Sequence, residues 1–124
     1  MKFLVIISLA LLLASCDPLV EGSISVRNAT RDTVKVVFNG RHTHYPRRPD
    51  SLLCYPDSTN QLFHYGRIGH VNYVHLSDEL DSITASNNRT GHRYNIPIAD
   101  SLWRKSITEK GWGGGIVDYL YELK

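Results

Sequence analysis

The chain reads as a mainly β protein, a small antiparallel β-sandwich or barrel of about seven short strands with one helix near the C-terminus. Three observations predict it. Beyond residue 16, Val, Ile, Thr and Tyr are abundant, Ala occurs three times and Met not at all, a composition that suits a pleated, half-buried surface. Several stretches alternate apolar and polar residues, the period of a strand with one face buried. Turn-forming residues recur at spacings of about 8–12 residues between those stretches, as in sandwiches and barrels.

Ile24 and Val26, separated by Ser25 and flanked by Ser23 and Arg27, form the first alternating stretch. Asn28 to Asp32 is a polar turn. Val34, Val36 and Phe38 alternate with Thr33, Lys35 and Val37 in a second strand. Asn39-Gly40 follows, a dipeptide suited to the two left-handed positions of a type I′ hairpin turn. Residues 41–45 would then pair back, so that 23–45 form a three-stranded meander. Pro46 and Pro49 interrupt the pattern. Leu52–Tyr55, Leu62–Tyr65, Asn72–Leu76 and Ser82–Ala85 read as further short strands, and Tyr94–Ile98 as an edge strand because of Pro97. Asp100 is placed as a helix N-cap, with Leu102, Trp103, Ser106 and Ile107 at helical spacing and Gly111 as the stop. After Gly113-Gly114-Gly115, residues 116–123 form the last strand, with Val117, Tyr119, Tyr121 and Leu123 on one face.

The length allows one domain. Of its 124 residues 42% are hydrophobic and 21% charged, with a formal net charge of +2. Two cysteines do not make a disulfide scaffold. The composition is neither that of a disordered tail nor of a multi-pass membrane protein, and the near-neutral charge argues against nucleic acid as a partner.

Hydrophobicity is concentrated at the start. Lys2 precedes an apolar run from Phe3 to Leu13 broken only by Ser8. As a helix this run would span about 16 Å, roughly half a bilayer's hydrocarbon core. It is too short to cross and fits a signal-peptide apolar region. Residues 1–15 are therefore expected to be removed, with 16–22 as a tether and 23–124 as the β-sandwich domain.

Leu13-Ala14-Ser15-Cys16 resembles the lipobox of bacterial lipoproteins: a branched apolar residue, two small residues, then cysteine. The resemblance implies that the Cys16 thiol takes a diacylglyceryl group and that a peptidase cuts before it. Two or more acyl chains anchor stably without any spanning helix. The implied location is the bacterial cell envelope, with the outer membrane favoured. Asp17 directly after the cysteine resembles an inner-membrane retention signal, which keeps that membrane open.

Other constellations are weaker. His42 and His44 would share a strand face, but Arg41, Arg47 and Arg48 would repel a cation, and no metal site is expected. Cys54 lies in an apolar run and reads as a small core residue. Asp78, Glu79 and Asp81 lack the spacing of a calcium loop. Gly111 to Gly115 lacks the Lys-Ser/Thr ending of a phosphate loop. No catalytic motif, cofactor site or enzyme signature is apparent. Trp112, Tyr119 and Tyr121 are candidates for a stacking platform. Residues 27–48 are basic and 49–82 acidic, which makes Arg41, Arg47, Arg48 and Trp112 the candidate contact surface.

Five of the eight Asp residues precede Ser or Thr. Turn and capping chemistry accounts for such pairs. They also resemble the Asp-Ser/Thr-apolar O-glycosylation signature of a Gram-negative group of gut and soil bacteria, which makes Thr33, Ser51, Ser58, Ser82 and Ser101 candidate glycan sites. The Asn28-to-Phe38 hairpin, the Pro49-Asp50-Ser51-Leu52 step and the helix–Trp112–strand ending resemble short lipoproteins of that group.

The expected function is that of a membrane-tethered, non-enzymatic domain binding a protein or an envelope glycan or other envelope component. The alternatives are a carbohydrate-binding, adhesin-like surface lipoprotein and an immunity or inhibitor lipoprotein. A small envelope enzyme ranks last.

Overall fold

The computed structural model describes residues 17–41 and 50–124. The expected signal peptide at 1–15, Cys16, His42, His44, Arg47 and Arg48 lie outside them. Eight strands form two four-stranded sheets that pack around a common core. They are β1 (Leu19–Asn28), β2 (Val34–Gly40), β3 (Asp50–Cys54), β4 (Thr59–Ile68), β5 (Leu80–Asn87), β6 (Arg93–Tyr94), β7 (Arg104–Glu109) and β8 (Gly115–Leu123). The first sheet has the order β4-β1-β8-β7 and the second β3-β2-β5-β6. All pairs are antiparallel except β1 with β8. The fold is thus the expected β-sandwich.

Period-two alternation sets the core. Val20, Ile24 and Val26 of β1 and Val117 and Tyr119 of β8 face Val34, Val36 and Phe38 of β2 and Ile83 and Ala85 of β5, all buried. Val71, Val74 and Leu76 of the β4–β5 connection and Leu80 at the start of β5 seal the core. That connection contains a 3-10 turn at Val71–Tyr73 and a one-turn helix, α1, at Leu76–Glu79. It replaces the strand expected at 72–76. Two bulges adjust the phase. Ile24 pairs with Phe63 but Ser25 with Gln61, so Leu62 is the extra residue and turns inward. Asn39 pairs with Ser82 but Gly40 with Leu80, leaving Asp81 as the extra residue.

Four sequence expectations are corrected. First, β1 and β2 belong to different sheets, so residues 23–45 are not a meander. Buried Asn28 fixes the crossing: its amide nitrogen donates to the Asp32 and Cys54 carbonyls, both at 2.8 Å, and its oxygen accepts from Thr30. Second, Asn39-Gly40 is not a two-residue turn. β2 continues through Gly40, and β3 is the strand that returns along it, with Val34 opposite Cys54 and Phe38 opposite Asp50. Third, the helix over 100–110 is only a 3-10 turn at Asp100–Leu102 followed by edge strand β7. Of the four residues at helical spacing only Trp103 is buried; Leu102 and Ile107 are exposed. The Ser106-Ile107-Thr108 run prefers the extended state and pairs with β8. Fourth, the tether is shorter than 16–22, because β1 begins at Leu19 and Val20 is fully buried.

The two central strands of the first sheet part locally. Their pairing holds at Glu21–Ile116, lapses, and resumes at Ile24–Tyr119. Side chains fill the gap. Asp118 Oδ1 accepts from the Ser23 amide at 2.9 Å and from its hydroxyl at 2.8 Å. The Tyr65 hydroxyl reaches from β4 to donate to the Val117 carbonyl. Gly22 faces this crossing, and a Cβ there would overlap the Val117 carbonyl oxygen and lie 2.7 Å from the Tyr65 hydroxyl.

Candidate functional site

The sandwich has two ends with different surfaces. One end collects the start of β1, the end of β4, the β4–β5 connection and the β7–β8 hairpin. Hydrogen bonds join these segments: Gly69 N to Pro18 O and Val71 N to Gly113 O, both at 2.8 Å. Leu19 and Ile68 are opposite each other in the β1–β4 pair. Residues 110–114 close the β7–β8 hairpin, with Lys110 N donating to Gly114 O and Gly114 N to Gly111 O. Gly111, Trp112 and Gly113 all have positive φ, at +58°, +54° and +81°. A positive φ is uncommon for a residue with a side chain, and the glycines on either side make the tip possible. Gly113 must lack a Cβ because the His70 ring occupies that space. His70 in turn packs against Tyr73 with ring centroids 5.5 Å apart.

Four large apolar side chains stand open at this end. Trp112 is 96% exposed, Tyr73 73%, Ile68 68% and Leu19 55%. The sequence singled out Trp112 but not the other three, which the β1–β4 register and the β4–β5 connection bring to the same end. The three-ring platform does not form: Tyr119 is buried, and Tyr121 packs against Trp103 with centroids 5.2 Å apart.

Arg41 lies at the same end, exposed and 3.4 Å from Asp81. Arg67 lies 3.5 Å from Asp78 and 3.2 Å from Glu79, whose side chain is buried. The three acidic residues of 78–81 thus meet guanidinium groups, and no cluster of three metal-ligating side chains occurs among the described residues. The basic stretch is also divided. Arg27 and Arg31 sit at the far end of β1 and beyond it, whereas Arg41 follows β2 at the near end. Cys54 is fully buried in the core, where desolvation raises its thiol pKa.

The far end holds the 29–33, 55–58 and 88–92 turns. Buried Asn87 ties two of them, donating to Asp32 Oδ2 at 2.9 Å and accepting from the Arg89 and Thr90 amides. Here Asp32 and Asp57 serve turns; Asp57 has φ +59°. The Ser58 hydroxyl donates to the Tyr55 carbonyl at 2.6 Å, and Thr33 is half-buried. Of the five candidate glycan sites, Ser51, Ser82 and Ser101 are exposed.

A polar cluster absent from the sequence reading joins the two long connections to β8. Asp100 Oδ1 accepts from the Leu76 amide at 2.8 Å, so it caps α1 from a distance in sequence. Asp100 Oδ2 lies 3.4 Å from Lys105 Nζ and 3.2 Å from the Tyr119 hydroxyl. Lys105 also donates to the Val74 carbonyl at 2.7 Å and lies over the Tyr119 ring. Burial pushes the Asp100 pKa up, but the Leu76 amide, Lys105 and Tyr119 outweigh it, leaving the carboxyl below its ordinary value. Burial, then nearby Asp100, raises the Tyr119 hydroxyl well above its ordinary value. The cluster is a clamp: among the described residues no buried side-chain polar atom lacks a partner. A shallow depression of about 320 Å³ lies on the outer side of β7 and β8, lined by Leu102, Arg104, Leu120, Tyr121, Glu122 and Lys124.

Comparison with models of protein families, with curated proteins and with solved structures finds no match.

Proposed function

We propose that this chain is a lipid-anchored, non-enzymatic β-sandwich of the bacterial cell envelope that binds a protein or envelope component. The observation that carries the proposal is the lipobox-like Leu13-Ala14-Ser15-Cys16 placed immediately before a folded domain whose first strand starts at Leu19. An apolar run too short to cross a bilayer, small residues before a cysteine and a domain directly after it fit export followed by lipidation. A domain that can be held this way needs no membrane span, and no described helix is long and apolar enough to cross. The buried polar groups are engaged in holding connections together, which supports binding by surface over catalysis.

Replacing Cys16 by Ser and fractionating the cells tests the anchor. The wild-type chain partitions with membranes and the variant does not; a variant that stays with the membranes overturns the proposal. Cross-linking in intact cells followed by pull-down then identifies the partner. One observation favours the carbohydrate-binding alternative: the Trp112 ring is almost wholly open and offers a face for a sugar. Quenching of its emission by envelope polysaccharide would support that alternative.

A further inference from the structure

We propose that the end of the sandwich beside Cys16 is a membrane-docking surface, in which Trp112, Tyr73, Ile68 and Leu19 rest in the interface of the bilayer holding the Cys16 lipid. This rests on the lipid-anchor reading and adds an orientation to it: the domain stands upright and turns its far end to solvent.

The length of chain between anchor and fold is the first argument. Asp17 and Pro18 alone separate Cys16 from Leu19. Three residues span at most about 11 Å. The Pro18 carbonyl is moreover held by the Gly69 amide at 2.8 Å, so the tether is already part of the fold at its second residue. A lipidated Cys16 lies at the bilayer surface, where the headgroup layer is about 5–8 Å deep on each side. The end of the domain that carries Leu19 therefore cannot stand far from that layer.

The chemistry of that end is the second argument. Trp and Tyr are enriched at membrane interfaces because their rings combine an apolar body with a polar atom. Trp112 projects from a hairpin tip with positive φ and contributes nothing to the core, being 96% exposed. Tyr73, Ile68 and Leu19 are exposed at the same end, on segments that backbone hydrogen bonds tie to one another and to the hairpin of Trp112. The carboxylates of Asp78, Glu79 and Asp81 at this end lie within ion-pair distance of Arg67 or Arg41, which reduces their repulsion by anionic headgroups.

The full lipidated chain, purified in detergent and reconstituted into vesicles of phosphatidylethanolamine and phosphatidylglycerol, provides the test. Flotation reads anchoring. Quenching of tryptophan emission by lipids brominated near the headgroup reads docking, and iodide in the buffer reads exposure to water. Trp103, buried with its Nε1 bonded to the Pro97 carbonyl at 2.7 Å, is the only other tryptophan. Trp112→Asn, a residue that tolerates positive φ, supplies its background.

The expected result is flotation, loss of Trp112 emission with brominated lipid, and protection of Trp112 from iodide relative to the soluble Cys16→Ser chain. A chain that floats while Trp112 stays as open to iodide as in Cys16→Ser overturns docking and leaves the anchor standing. Protection from iodide without quenching by brominated lipid means that a protein or a second copy covers this end, and it also overturns docking. A chain that does not float overturns both readings.

Discussion

Gly22→Ala tests the packing at the centre of the first sheet. The new methyl group would overlap the Val117 carbonyl oxygen and approach the Tyr65 hydroxyl to 2.7 Å. Both neighbours are fixed, one as backbone of β8 and the other as the donor that bridges the parted strands. β1 must move away from β8, which is overpacking at about 1–3 kcal/mol. If the Tyr65 bond breaks, a buried donor and acceptor lose their partners, adding about 1–3 kcal/mol. Together they come to about 2–6 kcal/mol, against a domain stability of about 5–15 kcal/mol. Urea unfolding of the Cys16→Ser chain, followed by circular dichroism, should show a midpoint lower by about 1–3 M. Tyr65→Phe alone should cost about 1 kcal/mol. The double variant should cost less than the sum, because the hydroxyl is one of the two obstacles. A Gly22→Ala chain within about 0.5 kcal/mol of the parent would refute this account of the β1–β8 junction.

Arg67→Ala strands the buried Glu79 carboxylate and should cost about 3 kcal/mol in urea unfolding, the low end for a broken buried pair because Arg67 is one-third exposed. The depressed Asp100 carboxyl makes the clamp acid-sensitive: its contribution is complete above the unfolded value near 3.9 and is lost as pH falls through the lower folded value. Unfolding midpoints measured through that acid range should therefore fall less steeply for Asp100→Asn than for the parent, from a lower starting stability. Trp112→Gly removes a side chain from a left-handed position and should leave stability unchanged or raise it by about 1 kcal/mol; a thermal midpoint lowered by several degrees would show that Trp112 serves the fold.

Alternation made β1, β2 and β8 legible in the sequence, since each buries one face and the period is two. Pairing was not legible. The turn at Asn28 is partly local, through Thr30 and Asp32, but the partner that ties it to the second sheet is the Cys54 carbonyl, 26 residues on, which only the fold supplies. Asn39-Gly40 has the composition of a turn, yet the longer register with β5 keeps it in a strand. The stretch 100–110 carries its apolar residues at helical spacing, and pairing with β8 decides for the strand. Trp112 stood out beside its glycines, while Leu19 fell in the expected tether, Tyr73 in an expected strand and Ile68 in no expected element. Asp100 was read as a cap for its own helix, and it does cap a helix, but α1, 24 residues away.

The proposed anchor requires Cys16 to be the lipidated first residue of the mature chain. Mass spectrometry of the N-terminal peptide of the protein extracted from membranes tests this directly. The expected peptide begins at Cys16 and carries the mass of a diacylglyceryl group, with or without a further acyl chain. A peptide that retains residues 1–15, or that begins elsewhere with an unmodified thiol at Cys16, would contradict it.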